Sequence, residues 1–148
     1  MVKFRYKMQN ILDLKEKMEE QAKTEFSARA ERLRQEELKL TLIYDDISKY
    51  EDRIRSMNNE RIDILELKQC NNAINIKKQQ AETQQKVIVM AEKDVDIARG
   101  KLNQVMVDRK TQEILKEKAF EEYKKELEAE ENKEIDEVVS FQYNNVRQ

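Results

Sequence analysis

The stretch Ser56-Met57-Asn58-Asn59-Glu60-Arg61-Ile62-Asp63 decides the fold, because it is the best place for a very long amphipathic helix to stop and turn back. Asparagine tolerates the left-handed backbone found at helix ends, and its amide can satisfy carbonyls freed there. Asp63 then offers an N-cap to a following helix, and Glu66, three positions later, completes a capping box. The reading is an antiparallel hairpin: helix 1 over about 4–57, a turn at about 58–63, helix 2 over about 63–140 and a frayed tail at 141–148. Because the turn precedes the midpoint, the second arm is the longer one.

Composition agrees. The 148 residues include no proline, one glycine, no tryptophan and 41% charged side chains. Strands need turns, and turns draw on glycine and proline, so an all-β or α/β fold is strongly disfavoured. Glu, Lys, Gln, Leu, Ala, Ile and Met dominate, the profile of long helices or coiled coil. Disorder would scatter the apolar residues; here they recur at helical spacing. The expectation is an all-α chain forming a single coiled-coil domain.

The 29 basic residues are interleaved with 31 acidic ones, for a net charge of −2. No basic face or block is available to displace counterions from phosphates, which argues against a nucleic-acid partner. The longest apolar run, Val87 to Ala91, falls far short of the roughly 20 residues that cross a bilayer. The opening Met-Val-Lys-Phe-Arg-Tyr-Lys develops no signal-peptide core, and a single cysteine fits a reducing compartment. A cytoplasmic protein without direct membrane insertion, monomeric on its own, is expected.

Outward from the turn, Leu33, Leu40, Ile43, Ile47, Tyr50, Ile54 and Met57 fit a and d positions of the first arm. Ala22, Phe26, Ala30 and Leu33 read as a stutter in the heptad phase. The second arm answers with Leu67, Cys70, Ile74, Ala81, Ile88, Ala91, Val95, Ala98, Leu102 and Val105. In a tight helical hairpin the facing residue numbers should sum to about 121. Ile54 then faces Leu67, Ile47 faces Ile74, Leu40 faces Ala81, Leu33 faces Ile88 and Phe26 faces Val95. Large opposite small, as at Leu40 and Ala81, suits interdigitating layers.

Farther from the turn the seam is expected to deteriorate. Ile11 would face Arg109, Met8 would face Gln112 or Glu113, and Phe4 would face Lys116 or Glu117. Beyond Glu117 an overhang of roughly 20 residues would project about 30 Å, carrying Phe120, Tyr123, Leu127, Ile135 and Val138 without a partner.

No histidine and one cysteine leave nothing from which to assemble the usual nucleophile and base pairs or most transition-metal sites. A lone glycine excludes a phosphate-cradling loop. Carboxylate pairs such as Asp45–Asp46 and Glu130–Glu131 read as solvated helix faces, with no pocket to shift their pKa values. Neither an enzyme nor a bound cofactor or metal is expected. Cys70 reads as a packing residue, with a redox or partner role as the alternative. Gly100 reads as tolerated drift on an outward face, or as a point of close approach by a partner's backbone. The strongest candidate is the open end, where Met8, Ile11 and Leu115 lie beside the charges of Arg109, Lys110, Glu113, Lys116, Glu117 and Lys118, a polar rim around an apolar docking surface. Phe120, Tyr123 and Leu127 on the overhang form a further candidate partner surface. The alternative at this end is a solvated single helix with intrahelical ion pairs.

Two stretches also resemble a known family. Phe4-Arg5-Tyr6, Gln9 and Ile11-Leu12-Asp13-Leu14-Lys15-Glu16 are similar to the opening of the FliJ family of flagellar export proteins. Ala98-Arg99, Leu102, Asp108-Arg109-Lys110, Glu113, Leu115-Lys116-Glu117, Glu131 and Lys133-Glu134-Ile135-Asp136-Glu137 resemble its C-terminal signature. The resemblance implies a stalk-like antiparallel coiled coil of the bacterial flagellar type III export apparatus, similar to the central stalk subunit of rotary ATPases. Its implied partners are the hexameric export ATPase, the cytosolic domain of the export gate and export chaperones. Its implied place is the cytoplasm, peripheral to the inner membrane at the flagellar base. Carried over, Arg5, Met8, Ile11, Leu12, Arg109, Lys110, Glu113, Leu115 and Lys116 would bind the ATPase, and Cys70, Asn71, Ile74 and Lys78 are the guess for the gate contact. Charge reversal at Arg109 with Lys110 should abolish an effect on the ATPase while sparing helicity. A generic coiled-coil adaptor and a dedicated export-substrate chaperone are the alternative functions.

Overall fold

The computed structural model describes residues 3–59 and 61–147. Glu60 in the turn and the last residue of the expected tail lie outside them. Helix α1 spans Gln9–Met57 and helix α2 spans Ile64–Arg147, 49 and 84 residues long. The chain is a helical hairpin with a longer second arm, as the turn position requires. It divides into two compact units, a turn unit of residues 21–103 and a terminal unit of 1–20 with 104–148.

The turn works by other chemistry than left-handed asparagines. Among the described residues none has a positive φ. α1 instead tightens as it ends: the Asn58 N–H donates to the Arg55 carbonyl at 3.2 Å and the Asn59 N–H to that of Ser56 at 3.3 Å. These three-residue bonds consume carbonyls that an α-helix end leaves free. Asp63 is the expected N-cap, its Oδ1 accepting from the N–H groups of Leu65 at 3.0 Å and Glu66 at 3.4 Å. Glu66 does not close a capping box; its carboxylate accepts from Arg53 Nε across the turn at 2.6 Å. Arg53 offers a full positive charge where the backbone amide offers only a dipole.

The turn unit keeps the expected register to within a couple of positions. Arg53 meets Glu66, Lys77 meets Asp46 at 3.1 Å, and Arg29 lies 3.9 Å from Asp94. Its buried apolar residues are Ile47, Met57, Cys70, Ile74, Ala81, Ala91, Val95 and Ala98, all of them seam positions expected from the sequence. α2 contributes the alanines, while Leu33 and Leu40 on α1 stay half-buried, so the narrow positions of one arm match the wide ones of the other. One layer is polar. Glu36 is buried, and Gln84 on α2 donates to its carboxylate at 2.6 Å and to its backbone carbonyl at 2.9 Å.

In the terminal unit two boundaries move. α1 starts at Gln9 and not near residue 4, opening with the Gln9 N–H on the Tyr6 carbonyl and the Leu12 N–H on that of Met8. Residues 3–6 lie outside the helix. Phe4 reaches past Lys116 to set its ring edge-on to Phe120 at 5.2 Å and tilted against Tyr123 at 5.5 Å. At the other end α2 stays helical through Arg147, beyond the expected limit near 140.

Candidate partner-docking surface

The seam of the terminal unit is built from polar pairs around one buried apolar residue. Leu12 is 3% exposed, and Glu19, two turns on, is 6% exposed. A charge so far out of water requires a partner. Arg109 supplies it, with Nε donating to Glu19 and Nη1 to Glu113 at 2.7 Å. The Glu113 carboxylate, then that of Glu19, holds the guanidinium pKa above its ordinary value, against the opposing pull of desolvation. Lys15 pairs with Asp108 at 3.5 Å, and the Tyr6 hydroxyl donates to Gln112 Oε1 at 2.8 Å. Gln104 Nε2 also donates to Asp108 at 3.0 Å.

These contacts correct the expected facing pairs. Arg109 meets Glu19, where Ile11 was expected; Gln112 takes the Tyr6 hydroxyl, where Met8 was expected. α1 turns Leu12 inward and leaves Ile11 and Met8 outside, 40% and 41% exposed. The reason is electrostatic: with Lys15 and Glu19 on the same face as Leu12 at steps of three and four, inward rotation of that face satisfies both charges across the seam.

An open groove lies on this unit, floored by Phe4, Leu12 and Phe120 and edged by Glu16, Glu113, Lys116 and Glu117. Lys124 Nζ sits 4.7 Å above the Phe120 ring, a cation–π contact that caps its exposed face. Of the residues expected to bind the ATPase, Glu113 and Lys116 edge the groove, and Arg5, Met8, Ile11, Lys110 and Leu115 are exposed in the same unit. Leu12 lies beneath the surface, supporting it through its floor. Arg109 is occupied by its two carboxylates and, with Glu113, belongs to the seam. Phe120 and Tyr123 are in the aromatic cluster with Phe4, and Leu127 is half-buried.

Glu117, expected in the polar rim, edges the groove; sequence reading passed over Glu16. Its spacing would have found it: Glu16 follows Leu12 by four on α1, as Glu113, Lys116, Glu117 and Phe120 recur at threes and fours on α2.

In the turn unit the expected gate residues divide. Asn71 and Lys78 are exposed, whereas Cys70 and Ile74 are core. Cys70 does reach the floor of a cleft whose polar walls include Asp46, Arg53 and Lys77. Around Gly100 an added Cβ would meet nothing within 4 Å; no neighbour within the chain demands a glycine there.

Among the described residues no group of three or more His, Cys, Asp or Glu side chains is arranged to hold a metal ion, and no helix is long and apolar enough to cross a membrane. The surface is suited to binding a protein by an apolar floor with a charged edge.

No curated protein and no solved structure matches the chain. The family described as Flagellar FliJ protein matches it over residues 4–148. The helical hairpin and this match together place the chain in the FliJ family.

Proposed function

We propose that the chain is a stalk-like partner of the flagellar export ATPase, docking on the ATPase ring through its terminal unit and linking ATP turnover to the export gate and to chaperone delivery. As a FliJ family member it is a flagellar export protein; the proposal adds a non-catalytic role, the partner and the surface. The observation that supports it is the groove of Phe4, Leu12 and Phe120 with Lys116 at its edge, beside exposed Met8, Ile11 and Leu115. Apolar anchors of this kind supply affinity, and the surrounding charges of Arg5, Lys110 and Lys116 supply orientation and on-rate. Exposed Asn71 and Lys78 are the proposed points of gate contact, and association with the gate would hold the protein at the inner membrane of the flagellar base.

The test adds the purified chain to the purified export ATPase and measures hydrolysis and hexamer formation. Stimulation by the wild-type chain is expected. Lys110→Glu with Leu115→Ser should remove most of it at unchanged helicity, because both side chains are exposed and neither joins the Glu19–Arg109 seam. Reversal at Arg109, by contrast, would set a third carboxylate against Glu19 and Glu113 in that seam and cannot separate binding from folding. A chain that binds one export substrate and leaves the ATPase rate unchanged would be a substrate chaperone instead.

A further inference from the structure

Within the turn unit α2 carries a second repeat, on its outer face. Ala91, Val95 and Ala98 are buried against α1, so the opposite side of the helix meets only water and is expected to be polar. Val89, Met90 and Ile97 stand there instead, 48–60% exposed. Lys86 and Met90, then Lys93 and Ile97, repeat a lysine followed four residues later by an apolar side chain, at an interval of seven. Gly100 takes the place of the lysine in the next heptad. Between Thr83 and Asn103 the one carboxylate on this face is Asp96, and Arg99 answers it at 3.3 Å; Glu92 and Asp94 lie on the flanks, toward the seam. Lys86, Val89 and Met90 line a shallow surface together with Glu82 and Gln85.

An interval of seven suits contact with another helix, because a helix running alongside meets equivalent positions once every two turns. Lysines at that interval call for carboxylates at the same interval, and Met90 and Ile97 call for apolar side chains beside them. Gly100 fits the same occupant. An added Cβ there would meet nothing within 4 Å, and glycine costs about 1 kcal/mol relative to alanine in a helix, but its bare backbone lets a neighbouring backbone come close. A second copy set face to face would bring four lysines together, and the chain's own acidic stretch, residues 126–137, has no two apolar residues seven apart. An anionic membrane takes helices whose lysines border a broad apolar face; here Lys93 falls between Val89 and Ile97, in the middle of the apolar side chains.

We infer that the outer face of α2 over residues 86–100 is a helix-docking site, and that its occupant is an acidic amphipathic helix of a protein partner, with carboxylates and apolar side chains each recurring every seven residues. None of these residues is among those assigned to the ATPase or the gate, so this inference and the proposed function can fail independently.

Two synthetic helical peptides of three heptads, each with Leu at one position of every heptad and with either Glu or Lys four positions away, are titrated against the full chain by fluorescence anisotropy. The Glu peptide should bind at least about tenfold tighter, and added salt should shrink that preference. Lys86→Glu with Lys93→Glu should reverse the preference. Gly100→Gln should weaken binding of the Glu peptide about tenfold while the hairpin melts no lower than wild type, which separates docking from folding. Equal affinity for the two peptides, binding to neither, an unchanged preference in the double reversal, or a Gly100→Gln chain that binds as wild type would overturn the inference. So would a dimer in sedimentation equilibrium, or co-flotation with phosphatidylglycerol vesicles, that the double reversal abolishes.

Discussion

Arg109 shows how far one residue's role depends on what lies across from it. Sequence spacing puts it beside Lys110 in a charged run, where it reads as a rim residue. Its guanidinium in fact bridges Glu19 and Glu113, and removing it would leave Glu19 buried without that partner. Arg109→Glu should lower the melting temperature well below that of wild type, Lys110→Glu should leave it nearly unchanged, and the swap Glu19→Arg with Arg109→Glu should recover part of the loss, a coupling that a double-mutant cycle measures. Glu36 carries a pH signature. The Gln84 amide, followed by Lys39, holds its carboxyl below the usual 4.5. A depressed folded-state pKa means stabilisation that is present above the unfolded value and is lost as pH falls through the folded one. Wild type should therefore lose stability more steeply below about pH 4.5 than Glu36→Gln, as chemical denaturation at a series of pH values would show. Gly100→Ala meets open space and should stabilise by about 1 kcal/mol.

At the scale of elements, the hairpin depends on where α2 begins. Asp63 satisfies two N–H groups of its first turn, and Asp63→Ala should cost about 1 kcal/mol, read from the denaturant midpoint at unchanged slope. Along α2, burial changes from buried positions every three or four residues, as at Ala91, Val95 and Ala98, to none beyond Leu127. Amide exchange should follow it, slow around Ala91–Ala98 and fast past Leu127. The polar layer of the turn unit was legible in principle. The apolar stripe of α1 skips from Leu33 to Leu40 and that of α2 from Ala81 to Ile88. In the hairpin register the two gaps face each other, and Glu36 and Gln84 fill them. A seam gap in one arm reads as a flaw; facing gaps in both arms read as a polar layer.

For the whole molecule, the antiparallel path is the claim to test. In a Cys70→Ala background, cysteines placed at Ile47 and Ile74 should oxidise to an intramolecular disulfide, with a monomer on a non-reducing gel; a parallel two-chain coil would leave 47 facing 47 and give cross-linked dimers. The two units differ in what holds them. The turn unit closes on apolar layers. The terminal unit closes on Lys15–Asp108, Glu19–Arg109 and Tyr6–Gln112. Polar pairs leave apolar groups unspent, and the groove and exposed Met8, Ile11 and Leu115 are what remains for a partner.

By itself the sequence determined the two helices, the turn between them and the register of the turn unit. Each follows from local signals: periodicity, the absence of proline, the cap at Asp63 and apolar side chains every three or four residues. Only the tertiary structure decided that Leu12 and Glu19 go inside while Met8 and Ile11 stay out, that Phe4 leaves the helix for Phe120 and Tyr123, and that Arg109 is a seam residue. Helical spacing assigns a residue to a face, but when apolar and charged faces compete, the side chains opposite decide which one turns inward. A carboxylate can be buried only where a cation meets it, and that meeting joins residues 90 positions apart.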